Sequence, residues 1–576
     1  MRLSQPQSLL AILIALTIIT LSAQAVDVRI SNPVYSFLER ADILGYLDKP
    51  LPGTKPYTRI DVAKQLMAAA EHHDEMTRVD RDQLEYFFFK YQDELRYLGS
   101  DVTSGYRSFW KYIDYRPDWL YPNELDMFYF EGEDSDWQIA MNATGKAEYY
   151  DRLGENVGDP SFGSTVVGNG GVLRFRSGRW SAFGAVADNH ITMHTDQDLP
   201  IADSVRYPYD VSGPTGSSPD LLDFYDSEAE LTYQNDHVVV HFGKGRQRWG
   251  DGNTGALMIN DHALPYTHFR FVGSWGPITY TNVQAHLQTE PRVIQYKYQL
   301  PFGPYREIFA NKWYSAQRLE FNVHRTFRFG VFERVIYGER GLDWEYVHPL
   351  IFLQGQEHFT GDPDNMMVGG DIRWLAFNRA MVHFQFMFDE FVFADLGSDD
   401  YSNKWAFLTG VKIVDVFDIP NSQLFVEYAR IRPYVYSHKY VINRATHLSA
   451  NLGYAMQPNS DNLVVGWTQQ IARGAAVTLT GRVSRHGHDP AGVVLGGDIK
   501  YSDHEDNAIR ADIPFLAGDL ETQREVGLAV KLELLQQFQT DFNVRYIERE
   551  LEPLVGEVIT SDDVLLQAVF RWYPVF

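Results

Sequence analysis

The chain has 576 residues, with 51 Lys and Arg against 76 Asp and Glu, a formal charge of −25 and no cysteine. That balance excludes a phosphate-binding surface of clustered cations, so nucleic acid is not an expected partner, and it excludes disulfides and thiolate metal sites. The 14% aromatic content is high for a mean hydropathy of −0.30; a barrel with lipid outside and water inside gives that combination, and a large soluble β-protein is the alternative.

In chain order, Arg2, the apolar run Leu9 to Leu21 and the small-x-small pattern Ala23-Gln24-Ala25 read as a removable secretory signal over residues 1–25. No cysteine follows it to carry a lipid. Beyond it no apolar run of 18 residues occurs, so membrane-spanning helices are not expected.

Residues 26–100 predict a small helical domain. Asn32-Pro33 caps a first helix with Val34, Phe37, Leu38, Ala41 and Leu44 at helical spacing. Leu51-Pro52-Gly53 makes a turn, and Thr58 with Asp61 opens a second helix. A third starts near Thr77 and carries Leu84, Phe87, Phe88, Tyr91 and Leu95 to Gly99. The phrase Ala41 to Tyr46 and Pro56 to Arg59 resembles half of an S-layer-homology repeat; a structural plug or cap is the other reading. Residues 101–136 are expected to be a linker.

From Trp137 to Phe576 the period changes to two. Val526, Leu528, Val530, Leu532 and Leu534 face one way, with Glu525, Lys531 and Glu533 facing the other, and Val382, Phe384, Phe386 and Phe388 form another stripe. The expected fold is an all-β transmembrane protein, an antiparallel outer-membrane β-barrel with a polar, hydrated lumen behind the small helical domain. About 20 candidate strands of roughly 8–13 residues fit the length needed to cross tilted. Links after odd strands are long (about 191–227, 244–267, 289–316, 338–365, 503–523 and 549–562), while those after even strands are short, as at Ser177-Gly178-Arg179 and Asn235-Asp236. That asymmetry predicts long loops outside and tight turns in the periplasm, in the outer membrane of a Gram-negative-type bacterium. Leu566, Ala568, Phe570, Trp572, Pro574 and Phe576 resemble the terminal signal of the barrel assembly machinery, although Pro574 cannot donate a ladder hydrogen bond. Outer-membrane lipid and lipopolysaccharide, the latter through divalent cations bridging acidic loops, are further expected partners.

No catalytic motif is found, so no catalytic residue, metal or cofactor is assigned. His486-Gly487-His488-Asp489 is expected at a solvated turn, Gly361 to Asn365 as an ordinary loop, and His190 and His194 at a strand end where their spacing keeps the rings apart. The most individual segment is Gly245 to Leu257. Its glycines permit tight turns, and its Arg, Trp, Asp and Asn side chains suit sugar faces and hydroxyls. It is either a saccharide-binding loop or a loop folded into the lumen to constrict it.

The run Gly245-Arg246, Trp249-Gly250, Gly252, Gly255, Leu257 and Asn260 to Pro265 resembles the signature loop of the Wzi-type capsule assembly family, with Asn260 in place of an expected Ser. Gln317-Arg318-Leu319, Gly330, Glu333, Tyr337-Gly338, Tyr346 and Pro349-Leu350 follow in a similar order. The resemblance implies an outer-membrane barrel of about 18 strands (range 16–20), with its helical domain at the periplasmic end, that binds or anchors capsular polysaccharide at the cell surface. Arg246, Trp249, Asn253 and Asp261 are the candidate polysaccharide-binding residues, with Trp313 and Tyr314 added on chemistry alone. Without the resemblance, a diffusion or substrate-selective channel is the natural reading; an outer-membrane hydrolase would need a constellation that the sequence does not supply.

Overall fold

The computed structural model describes residues 26–100, 104–133, 137–153, 162–194, 221–289, 293–299, 305–361, 363–390 and 398–572. The expected signal, residues 1–25, and the terminal Pro574 and Phe576 lie outside them.

The alternating sequence closes into an antiparallel barrel of 18 wall strands. They are β1 Trp137–Leu153, β2 Phe162–Ser177, β3 Trp180–His194, β4 Leu221–Gln234, β5 Val238–Gly245, β6 Tyr266–Trp275, β7 Ile278–Leu287, β8 Lys312–His324 and β9 Phe327–Gly338. The second half comprises β10 Asn365–Ala376, β11 Ala380–Glu390, β12 Lys404–Val414, β13 Ser422–Ile431, β14 Ser460–Ala472, β15 Ala475–His488, β16 Asp519–Leu535, β17 Phe538–Glu552 and β18 Ile559–Trp572. Closure comes from β18 against β1, Val564 opposite Leu153 through Trp572 opposite Gly145. Below that seam Phe128–Glu131 pairs with β1, so the expected linker also contributes to the sheet.

The count is two below the sequence tally. The chain leaves the wall after Ile431 and returns at Ser460, and only a two-residue pairing, Thr446–His447 with Ala450–Asn451, forms between. The long link expected at about 503–523 runs instead from 489 to 518, because His486, Gly487 and His488 stay in the ladder opposite Glu521, Leu520 and Asp519. Long and short connections still segregate to opposite ends of the barrel. Outward residues such as Trp180, Leu231, Phe242, Trp275, Trp374, Val526 and Leu528 are exposed, as a lipid-facing belt requires.

The helices close the short-turn end. The first, α1 Val34–Leu44, follows Asn32, whose Oδ1 accepts from the Val34 N–H at 3.0 Å, and stops at Gly45 with φ 96°. Thr58 caps α2, Arg59–Ala70, and Thr77 caps α3, Arg78–Lys90. The third helix was expected to reach Gly99, but it breaks at Tyr91 and resumes as α4, Gln92–Tyr97. At the break the buried Arg59 guanidinium lies over the Tyr91 ring at 4.5 Å and pairs with Glu94 at 2.6 Å. A short α5, Phe109–Ile113, precedes the wall. Leu38, Val62, Leu66, Leu84, Phe87 and Leu95 form the domain's own core.

Polar contacts lock this cap onto the short turns. Arg325 donates to the carbonyls of Asp42 and Leu47, each at 2.8 Å, and Gln536 and Gln537 donate to those of Glu124 and Leu125. Asp80 is the hub: it accepts from Arg40 at 2.9 and 3.1 Å, from the Thr77 hydroxyl at 2.9 Å and from Asn421 of the β12–β13 turn at 3.0 Å. Removing one partner of a buried ion pair costs about 3 kcal/mol. Asp80→Ala is therefore expected to make residues 26–100 sensitive to limited proteolysis while the barrel keeps its heat-modifiable mobility on gels.

Candidate functional site: the lumen loop and the rim

Residues 246–265, between β5 and β6, cross the lumen. Gly250 makes this possible, since its φ of 130° is closed to side-chain-bearing residues. At the loop's start Arg248 and Trp249 pair as a short ribbon with Lys55 and Thr54 of the cap, and the Gly250 N–H donates to the Gly53 carbonyl at 2.8 Å. At its tip the far wall takes hold. Glu427 of β13 accepts from the backbone N–H groups of Asn253 at 2.6 Å and Thr254 at 2.8 Å, while Gln385 of β11 donates to the Trp249 carbonyl and accepts from the Leu257 N–H. From the long-loop side, Tyr436 donates to the Leu257 carbonyl at 2.8 Å and the Asn260 N–H donates to Leu452 O.

Below the loop lies a layer of charge. Arg318 of β8 binds both Asp371 oxygens at 2.6 and 2.9 Å and Glu320 at 2.9 Å. Arg328 of β9 pairs with Asp251, and Arg373 of β10 pairs with Asp42 of α1 and lies 3.5 Å from Asp251. The cap's finger enters this layer at Gly53, whose N–H donates to Glu320 at 2.9 Å; a Cβ there would collide with the Arg318 and Arg328 guanidiniums. Burial pushes the Asp251 carboxyl up, but Arg328, Arg373 and Lys55 beside it hold it down at about 2, whereas burial draws the Lys55 ammonium down to about 8.

Above the charge the loop is packed rather than hydrated. Trp249, Leu257, Met258 and Ile259 have no exposed surface and join Tyr266, Tyr314, Met387 and Tyr436 in one apolar cluster. On the loop's side of the lumen, wall side chains and the loop fill the space; along β1 and β16–β18 the inward face stays polar, with partly exposed pairs such as Lys146–Glu148, Arg545–Glu525 and Arg571–Asp541.

The comparisons fit this architecture. The description "Capsule assembly protein Wzi" matches residues 222–546, more than half of the chain and all of the lumen loop. The chain belongs to the Wzi capsule assembly family. Among solved structures, the Escherichia coli outer-membrane protein Wzi, described as a carbohydrate-binding β-barrel involved in group 1 capsule assembly, superposes with a TM-score of 0.54 at 13% identity, covering 95% of this chain and 99% of that one. Pseudomonas aeruginosa OccD3 (TM-score 0.39, 9% identity, 81% of this chain and 98% of that one) and Acinetobacter baumannii OccAB2 (0.41, 7%, 76% and 98%) are more distant. No curated protein sequence matches.

The segment that resembles the family's signature loop is the lumen loop, and its packing sorts the candidate residues. Trp249 and Tyr314 sit in its apolar core, the Tyr314 hydroxyl bonded to that of Tyr266 at 3.0 Å, so neither ring offers a face to a sugar. Asn253 is held by Glu427 through its backbone. Trp313 points to the opposite, outer face of β8, against His286 at 4.7 Å. Arg246 and Asp261 are partly exposed: Arg246 donates to Ala263 O at 3.1 Å, and Asp261 faces Arg248 at 3.7 Å. Of the family glycines, Gly252 is confined by the Gly255 carbonyl and Leu408, and Gly255 by Tyr454 and Asn260; Gly245 ends β5, and Pro265 leads into β6.

The histidines expected at a turn instead end β15, with ring centroids 4.1 Å apart; His488 meets Glu521 at 2.6 Å, and His486 meets Gly497 O at 2.7 Å. Asp364, in the segment expected to be an ordinary loop, pairs with Arg340 and accepts from the Tyr346 hydroxyl at 2.9 Å.

Sequence reasoning missed the charge layer, although Arg318-x-Glu320 and Asp371-x-Arg373 place opposite charges two apart on one strand face. It also missed the hairpin Ile294–Gln299 with Tyr305–Phe309 in the β7–β8 connection. Tyr296 and Tyr298 lie on one face of that hairpin with Arg306 opposite Tyr298, and both rings are exposed.

Asp251→Asn removes the acid shared by Arg328 and Arg373 and is expected to loosen the loop by about 3 kcal/mol, seen as added ion conductance in planar bilayers relative to the unsubstituted protein. Because the folded Asp251 titrates near 2, below its ordinary value of about 3.9, its stabilisation is complete above pH ~4 and is lost only as pH falls toward 2. Near-UV circular dichroism of the refolded protein should therefore be constant from pH 7 to 4.

Proposed function

We propose that the protein binds surface polysaccharide at the outer membrane and assists capsule assembly, with the helical cap in the periplasm and the long loops outside. The lumen loop carries this reading. A barrel crossed by a loop latched to its far wall and capped at its short-turn end is poorly suited to passing solutes, so binding at the rim is the work left to it. Membership of the Wzi capsule assembly family supports it.

The rim offers suitable chemistry. Aromatic faces stack on the apolar faces of sugar rings, and Arg forks onto hydroxyls and carboxylates. Tyr296, Tyr298 and Arg306 supply that combination on the exposed hairpin, and Arg246 and Asp261 add polar groups where the lumen loop meets the rim. Trp249, Asn253 and Tyr314 act in this account by holding the loop, and Trp313 takes no part in binding. Binding requires no catalytic step. Outer-membrane lipid, lipopolysaccharide and, during biogenesis, the barrel assembly machinery are the partners that this placement implies.

A glycan-binding screen paired with conductance on the same refolded sample tests the reading: glycan binding with little conductance is expected, and free conductance without glycan binding overturns it. Tyr296→Ala and Tyr298→Ala are each expected to weaken binding about two- to twelvefold, from roughly 0.5–1.5 kcal/mol of stacking per ring. Loss of the protein from cells should release polysaccharide into the medium without stopping its synthesis.

A further inference from the structure

In the connection between β9 and β10, residues 339–361 fold back along the outer wall of the barrel and carry two short helices, α6 Trp344–Val347 and α7 Leu353–Thr360. The wall beneath it is chemically out of place. Inward side chains of β8 and β9 include Arg318, Glu320, Arg328 and Arg334, so the alternate positions face outward, and several of those are polar. Asn282 on β7, Gln317 on β8 and Glu333 on β9 stand in one cross-strand row; Gln284 pairs with Ser315 in the next row toward the rim, and Tyr280 lies below. Polar groups facing hydrocarbon are costly and must find partners within the protein.

The main chain of the connection supplies those partners. The Tyr346 carbonyl accepts from Ser315 Oγ at 2.7 Å and Gln284 Nε2 at 3.2 Å. The Pro349 and Ile351 carbonyls accept from the Tyr280 hydroxyl and from Gln317 Nε2, and the Leu353 N–H donates to Glu333 Oε1 at 3.0 Å. Tyr346 and Leu353 also pack on Val335 and Tyr337.

Strand length sets the depth. With 10, 13 and 12 residues, β7, β8 and β9 are close to the roughly 9–11 residues needed to cross a bilayer, so little of this wall stands clear of the membrane. Tyr280, which holds Pro349, is only two residues from the short-turn end of β7. The turn at 349–353 therefore lies deep along the wall. Its outward side chains are apolar: Leu350 is 86% exposed and Phe352 is exposed too, and the neighbouring strands expose Phe269, Val331, Ile372 and Trp374 on the same outer face of the wall. Trp344 and Phe359 are exposed on the two arms nearer the rim. The exposed Glu345 and His358 also stand on those arms, and His348 borders the turn, its Nδ1 accepting from the Leu350 N–H at 3.3 Å.

We propose that residues 339–361 form a membrane-embedded flap whose main chain closes the polar stripe of β7–β9 and whose Leu350 and Phe352 contact lipid acyl chains, with Trp344 and Phe359 nearer the interface. The proposal rests on the barrel alone and holds whatever the rim binds.

The cysteine-free chain allows single nitroxide labels at Leu350→Cys, Phe352→Cys and Phe359→Cys, with Val555→Cys in the exposed β17–β18 loop as reference. In phosphatidylcholine vesicles, collision with oxygen relative to a water-soluble nickel chelate should be severalfold higher at 350 and 352 than at 555, and intermediate at 359. Nickel accessibility at 350 equal to that at 555 overturns the proposal. So does protection from both reagents with dipolar broadening between labels, which would place a second copy of the chain on this face. Adding Glu333→Ala to the label at 352 removes the acceptor of Leu353 N–H and should narrow the spectrum. An unchanged line shape in that folded, heat-modifiable variant would refute the pairing with the stripe.

Discussion

The structure depends on pairing three arginines that the wall buries in its own lumen. Arg318, Arg328 and Arg373 come from the adjacent strands β8, β9 and β10 and are almost wholly withdrawn from solvent. An uncompensated buried charge costs several kcal/mol, more than most single contacts return. The wall supplies Glu320 and Asp371, Asp42 comes from the cap and Asp251 from the lumen loop. No one of the three parts balances the charge alone. Docking of the cap and insertion of the loop are therefore coupled through the same guanidiniums, and Gly53 with Gly250 brings the two backbones to hydrogen-bonding distance at that point.

An eighteen-strand wall encloses more space than its inward side chains can fill. Here the side of it that the lumen loop crosses is filled in strata: the cap, the charge layer, then the apolar cluster of Trp249, Leu257, Met258, Ile259, Tyr266 and Tyr436. The order follows from the partners. The charged stratum lies where the cap's Asp42 and the loop's Asp251 converge, and the apolar one lies where a loop of aliphatic and aromatic side chains meets strands carrying Tyr314, Met367 and Met387. Polar backbone in that apolar layer is tolerated because Glu427, Gln385 and Tyr436 take its hydrogen bonds.

The wall was legible in the sequence because alternation records which face each residue takes, and the helix starts were legible because Asn32, Thr58 and Thr77 cap locally. The break at Tyr91 was not, since it follows from the buried Arg59–Glu94 pair formed by residues 35 apart. The lumen loop was singled out for its glycines and sugar-friendly side chains, yet Ala256-Leu257-Met258-Ile259 was the better clue, four apolar residues in a row that a solvated rim loop has no reason to carry. Trp249 and Tyr314 drew notice as sugar-stacking residues, but composition cannot tell a ring that stacks on a ligand from one that fills a core. Tyr296 and Tyr298 went unremarked because they belong to a hairpin outside the wall.

The same physical device operates on both sides of the wall. Inside, Glu427 and Gln385 satisfy the backbone of the lumen loop; outside, Ser315, Gln317, Gln284 and Glu333 do so for the connection after β9. In each place a strand offers an amide, hydroxyl or carboxylate and a segment folded back from the rim supplies the complementary main-chain group, but only the outward Gln284, Ser315, Gln317 and Glu333 break the alternation of their face. A bare barrel can afford such a residue on neither a lipid-facing nor a packed surface. Outward departures from alternation in this chain therefore mark where another segment of the same chain docks on the wall, as Gln317 and Glu333 do beneath the connection after β9.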